Sequence, residues 1–329
     1  MLYIVLVIHG IHNYHYLPTR STIFSLMIFE MPIIFFISGV SCKLSRRKTI
    51  FQSIISRFKR IILPYYIWML FALIAIIATR SFTWHGFGRM LYCQNIVNIP
   101  HVTQMWFILP YFLVFVLGSI LVKVYDHCQE YQLSKAFFIT SIAAIALITA
   151  VLDWAKETSS VELVREVLVY GLFFILGFAY KIANKWATLL LILGFVGWAL
   201  LIQSGLYPFA TQDNKFPPNL CFLFWGLGFI GILSLFTNTY NSKGNQILTI
   251  WGKYGLEIYL YQNFAYWLIS AFVYPHLSKI PQFFQYSITT LIAFVLLTLV
   301  AKPLNQLNNF VIERIYNLPS FFKTSKTIQ

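Results

Sequence analysis

The chain has 329 residues, of which 59% are hydrophobic, 19% aromatic and only 10% charged. A soluble domain carries about a quarter charged residues, so this composition, with a mean hydropathy of +0.71, excludes an ordinary globular protein. A formal net charge of +14 on so apolar a chain points to basic loops on one face of a membrane protein. It does not point to nucleic acid, because no compact basic domain is present.

Apolar runs long enough to span a bilayer recur along the whole chain. The fold class expected is all-α, a polytopic membrane protein of about ten transmembrane helices forming one domain over residues 1–329. In chain order the predicted spans are 2–18, 21–42, 61–79, 105–122, 136–152, 163–180, 186–204, 219–236, 254–274 and 283–301. With the N-terminus inside, the inner segments hold 17 of the 24 Lys and Arg residues, so both termini are expected on the cytoplasmic side. No cleavable signal peptide is recognisable. The four cysteines, Cys42, Cys93, Cys128 and Cys221, are scattered and suggest neither a disulfide framework nor a metal site.

The first span carries His9-Gly10-Ile11-His12-Asn13-Tyr14-His15. Three-residue spacing turns His9, His12 and His15 toward one helix face. His9 lies deepest, roughly 12 Å into the helix at 1.5 Å per residue. Imidazole ordinarily titrates near neutrality, as a general base should. A histidine that merely hydrogen-bonds a neighbouring helix is the alternative. Glu30 is the carboxylate of the second span. It either orients a first-span histidine or sits at the outer interface.

Met31-Pro32 and Phe35-Phe36-Ile37-Ser38-Gly39 follow, then a basic stretch containing Arg57-Phe58-Lys59-Arg60, then Leu63-Pro64-Tyr65-Tyr66-Ile67-Trp68. Arg57, Lys59 and Arg60 stand just before the third span. They suit either a clamp on phosphate groups or ordinary anchoring to anionic lipid. The segment 80–104 is the longest expected outer loop and the one large enough for a lid. Trp106-Phe107 opens the fourth span as an interfacial anchor or a site residue. The ninth span begins Gly255-Leu256-Glu257-Ile258-Tyr259-Leu260-Tyr261-Gln262. No GxSxG elbow, Walker loop or dinucleotide fingerprint occurs.

The wording around residues 31–68 resembles the signature of the integral-membrane acyltransferase-3 family, in which an "MPLFFFISG"-like phrase is followed by RxxR and PYxxW. Val5-Leu6-Val7-Ile8-His9 is similar to the family's first-helix run ending in an essential histidine. Trp106-Phe107 resembles its "LWFL" stretch, and the ninth span its "GxxSLxIYLxH", with Gln262 where histidine is frequent. The resemblance implies ten helices and acyl transfer with His9 as the catalytic residue; His12 and Glu30 join it as catalytic candidates from their places in the first two spans, Glu30 departing from the histidine that many sugar-acetylating relatives carry there. It implies acyl-CoA binding by Arg57, Lys59, Arg60 and Tyr65, and substrate contact by Trp106, Tyr259 and Gln262. It also implies an arginine about eleven residues upstream of His9, a place that would precede Met1. Either the start is late, which the short first span favours, or the copy is impaired.

The expected activity is transfer of an acyl group, acetyl in first place, from acyl-CoA to a hydroxyl of a cell-envelope glycan or lipid-linked sugar. The sugar O-acetyltransferase branch is suggested by the "MPxxFFISG" wording. The donor is a substrate, with no bound cofactor and no metal. The partners expected are acyl-CoA, the sugar acceptor and the bilayer of a plasma or inner membrane. The alternative is a transporter or flippase for a small polar or lipid-linked solute, which buried His and Glu would also suit.

Overall fold

The computed structural model describes residues 1–13, 18, 20–44, 49–78, 82–92, 105–179, 182–239 and 246–324. All regular structure among them is helical, and the chain is a polytopic membrane protein. The path begins with a π-helical segment, Tyr3–His9, continued by α1 (Gly10–Asn13). Then come α2 (Thr22–Met27), α3 (Glu30–Leu44), α4 (Ile50–Arg57), a second π-helical segment (Phe58–Ile62), α5 (Leu63–Ala78), α6 (Trp84–Leu91) and α7 (Ile108–Glu130). The rest is α8 (Ser134–Leu152), α9 (Ser159–Leu176), α10 (Asn184–Gln203), α11 (Thr211–Lys215), α12 (Leu220–Thr239), α13 (Gln246–Lys253), α14 (Gly255–Phe272) and α15 (Gln282–Thr324). Helix starts outside the apolar runs are fixed by side-chain caps. Ser21, Thr83 and Thr158 each accept a bond from the backbone N–H three residues on, satisfying a donor that the helix itself leaves unpaired.

Seven described helical stretches are long and apolar enough to cross a membrane: Thr22–Leu44, Ile50–Ala78, Ile108–Glu130, Ser134–Leu152, Asn184–Gln203, Leu220–Thr237 and Gln282–Tyr316. The other three predicted spans are helical as well, over Tyr3–His9 with α1, over α9 and over α14. They fall short of the other seven for visible reasons: the described helix of the first is short, over residues 3–13, and the other two carry more polar residues. The first holds His9; α9 holds Glu162, Arg165 and Glu166; α14 holds Glu257, Gln262 and Asn263.

The chain forms two compact units, one of residues 17–55 and 109–243, the other of 1–16, 56–108 and 244–329. In the first, small residues let backbones meet. A Cβ on Gly39 would stand 1.9 Å from the carbonyl oxygen of Phe174, and one on Gly177 would stand 2.2 Å from that of Phe36. A Cβ on Gly194 would fall 2.2 Å from the backbone nitrogen of Gly228, so α10 and α12 also touch along their backbones. Without a hydrophobic drive between helices in lipid, such close passes and polar contacts hold a bundle together. Ser38 and Tyr111 share a hydrogen bond of 2.9 Å, and Phe35 stacks on Tyr170 at 4.8 Å. The Phe35–Gly39 phrase is thus a packing surface.

In the second unit, Val5, Leu6, Trp251, Ile258, Tyr266, Ala293 and Leu297 belong to one buried core. Trp251 donates to Thr298 at 2.9 Å and Asn305 to Glu257 at 2.9 Å, tying α13 and α14 to α15. Tyr65 donates to the carbonyl of Met90 at 2.7 Å and Tyr66 to that of Leu91 at 2.8 Å. From Tyr65 to Ala78 α5 rises roughly 20 Å at about 1.5 Å per residue. A phenol reaches far less, so Met90 and Leu91 lie back beside the first turn of α5. This differs from the expectation of a purely outer loop over 80–104: α6 doubles back along α5, and the two tyrosines satisfy its last carbonyls. Residues 93–104 lie outside the described residues.

Candidate functional site

The site is built on the first helix of the second unit. Tyr3–His9 is π-helical, a rare form that is frequent at functional positions. Two of its carbonyls receive donors from other helices: Tyr266 of α14 donates to the oxygen of Val5, and Tyr286 of α15 donates to that of Leu6 at 3.2 Å. His9 ends the segment. Its Nδ1 faces Oε1 of Gln262 on α14 at 2.8 Å. An amide oxygen only accepts, so Nδ1 is the donor in this contact, and in the neutral ring the lone pair is left to Nε2.

Tyr259, one turn earlier on α14, places its ring 5.7 Å from the imidazole. Phe107 meets Tyr259 edge to face at 4.5 Å, and Trp106 stands against Phe107 at 6.3 Å. Phe107 is buried and Trp106 half-buried. The pair that precedes α7 is therefore packed toward the histidine through Tyr259.

Polar atoms collect on this turn of α14. Gln262 is fully buried and Asn263 is 3% exposed. Among the described residues, Gln262 Nε2, both polar atoms of the Asn263 side chain and the Tyr261 hydroxyl are buried with no hydrogen-bond partner. So is Trp68 Nε1 on α5, whose ring lies against Phe264 of the same turn at 6.4 Å. Buried polar groups are almost always paired. Of these, Gln262 is the one in contact with His9, and its unpaired Nε2 is the candidate point for a polar ligand.

The other candidates stand elsewhere. Arg57 ends α4, and Lys59 and Arg60 belong to the π-helical segment Phe58–Ile62. In an α-helix residues three apart fall near one face, since each turns by about 100°. The wider π turn rotates each by less, so Arg57 and Arg60 are splayed. Arg60 is exposed, and the Lys59 ammonium lies 3.5 Å from the ring centroid of Tyr316. Tyr65 is 1% exposed, and its hydroxyl holds α6. His12 is part of α1, but its side chain lies outside the described residues, as does His15 altogether.

Glu30 belongs to the other unit, where it is ion-paired with Lys215 of α11. The side chains are 2% and 7% exposed. Lys215 is the missed partner; a lysine in a long apparent loop gives no sign in sequence that it folds back onto a helix start. Nearby in the same unit, Arg165 pairs with Asp153 at 2.8 Å, and Asp153 accepts from Tyr207 at 2.6 Å. Burial pushes the Tyr207 phenol up, and the Asp153 carboxylate pushes it further, so it stays a donor across the physiological range. Among the described residues no group of His, Cys, Asp and Glu could hold a metal ion.

The family model for the acyltransferase-3 acyltransferase domain matches residues 1–300. The chain belongs to the acyltransferase-3 family. It is a membrane acyltransferase, and the match runs through both compact units of this acyltransferase. Neither a curated protein nor a solved structure matches the chain.

Proposed function

We propose that this membrane acyltransferase moves an acyl group, acetyl in first place, from acyl-CoA to a hydroxyl of a cell-envelope glycan or lipid-linked sugar. The observation that carries the reading is the part-buried pairing of His9 with Gln262, which presents Nε2 of an imidazole as a base, with the unpaired Nε2 of Gln262 on the same side chain. The acceptor hydroxyl gives its proton to His9 Nε2 as its oxygen bonds to the thioester carbonyl carbon. The carbon–sulfur bond then breaks, and the imidazolium returns the proton to the departing thiolate, giving an ester and free CoA. Arg57 and Arg60 supply charge for the CoA phosphates from the start of the third span, with Lys59 beside them. Tyr65 contributes by holding α6, while Tyr259, Phe107 and Trp106 form an aromatic wall for the acyl or acceptor side. His12 and Glu30 remain secondary candidates of the same reaction, and the plasma or inner membrane is where such an acceptor is met.

The test is thiol release from acetyl-CoA by purified protein in lipid, with crude envelope glycan as acceptor. Acceptor-dependent release that falls by about 10²–10⁴ in His9→Ala, the range for loss of a positioned base, is the expected result. Absence of release and of acetyl-CoA binding in the wild type overturns the reading.

A further inference from the structure

Gln262 stands at the centre of the site and meets two needs with one side chain. Its Oε1 takes the Nδ1 proton of His9, while its Nε2 is buried with no partner among the described residues. A planar amide cannot turn one end without the other, so the bond that fixes the imidazole also fixes the direction of the two N–H bonds on Nε2. Leaving an amide nitrogen unsatisfied in a buried site is unfavourable. That arrangement is retained where a ligand supplies the acceptor.

We propose, resting on the acyl-transfer reading above, that Gln262 is a two-ended residue. Its carbonyl oxygen sets the tautomer of His9, and its Nε2–H donates to the carbonyl oxygen of the acyl donor as that oxygen gains negative charge. When the acceptor oxygen attacks, the carbonyl π pair moves onto the former carbonyl oxygen. The charge is met by the Gln262 donor and returns to re-form the carbonyl as the carbon–sulfur bond breaks. No atom or proton leaves Gln262. A neutral amide suits this position better than an imidazole would, because it accepts from His9 and donates to the oxyanion without changing its own protonation. It does so in a low-dielectric setting where a fixed donor acts strongly on developing charge.

Two substitutions separate this role from simple packing. Gln262→Leu removes both ends. The expected result is kcat for acetyl transfer reduced by about 10²–10³, the range for loss of one oxyanion donor, with KM for acetyl-CoA within a few-fold. Gln262→Glu keeps an acceptor for Nδ1 but brings a negative charge and no N–H. The carboxylate favours the imidazolium, so the acidic limb of the pH–rate profile moves to higher pH, and the plateau rate stays low. Both are measured on folded, monodisperse protein, so that loss of fold is counted separately from loss of rate. If kcat per folded molecule is unchanged in Gln262→Leu, or the acidic limb does not move in Gln262→Glu, the inference is overturned while the acyl-transfer reading stands. If the wild type itself transfers nothing, it is that reading that fails.

Discussion

Glu30 and Lys215, 185 positions apart in sequence, form an ion pair in which each side chain is less than a tenth exposed. Glu30 is the first residue of α3 and Lys215 the last of α11, so the pair ties the entry of one membrane helix to a short helix in a connecting segment. Removing one member of a buried pair leaves an uncompensated charge and costs about 3–5 kcal/mol, whereas replacing both is often neutral. We expect Lys215→Met alone to lower thermal stability sharply in detergent. The double variant Glu30→Gln/Lys215→Met should recover most of it. Acetyl transfer by the recovered double variant decides what Glu30 does. Near-normal rates make it a structural carboxylate, and a stable but inactive double variant places it in the reaction.

The Ser38-Gly39 pair tests the packing account of the family phrase. With Phe174 carbonyl oxygen 1.9 Å from where a Cβ would stand, Gly39→Ala forces backbone apart, and overpacking of this kind costs about 1–3 kcal/mol or more. Gly171→Ala, also in a helix of that unit, has nothing within 4 Å of the added carbon. It should be neutral or stabilising by about 0.5–1 kcal/mol. Thermal unfolding of the two variants side by side measures the contrast, and equal midpoints would refute it.

Tyr65 and Tyr66 give a graded prediction. Tyr65→Phe removes a buried bond to the carbonyl of Met90 and leaves it only the shared Tyr92 N–H of the helix cap, at a cost of about 0.5–1.5 kcal/mol. The Tyr66 bond to Leu91 is exposed, and water can replace it. Backbone hydrogen exchange over residues 84–92 in nanodiscs should therefore quicken in Tyr65→Phe and barely change in Tyr66→Phe. Acetyl transfer should fall in the same order.

The basic residues before α5 should also separate. Lys59 is committed to the ring of Tyr316, while Arg60 is exposed. Arg60→Ala is expected to raise KM for acetyl-CoA about tenfold, since a hydrogen bond to a charged group contributes about 1.5–3 kcal/mol. The effect should shrink as salt is raised. Lys59→Ala should change KM less. Titration of acetyl-CoA at two ionic strengths reads both, and an unaltered KM in Arg60→Ala removes that residue from the donor site.

Much of this architecture is legible in the sequence because lipid makes helices announce themselves: runs such as Leu63–Ala78 and Leu220–Thr239 admit no other structure. The basic stretch before the third span and His9 in the first are equally plain, since charge and imidazole stand out against an apolar background. What sequence does not carry is side-chain pairing across helices. Nothing local couples His9 to Gln262, 253 positions away, or Glu30 to Lys215. The return of α6 along α5 is hidden for a related reason. Trp84–Leu91 falls within the stretch expected as an outer loop, and only the hydroxyls of Tyr65 and Tyr66 show where the helix it forms lies. The polar residues of α14, which make that helix look least like a membrane span, include Gln262, the partner of His9.

The length of α15 carries a consequence for how much of it lies outside the lipid. Its 43 residues extend roughly 65 Å at about 1.5 Å each, against a hydrocarbon thickness of about 30 Å. Fitting that length inside the bilayer would take a lean of over about 60°, beyond the 0–40° seen for membrane helices. About half of the helix therefore extends beyond the hydrocarbon, held there by the Asn305–Glu257 bond and the Lys59–Tyr316 contact. A spin label on that half would report movement of the helix outside the lipid.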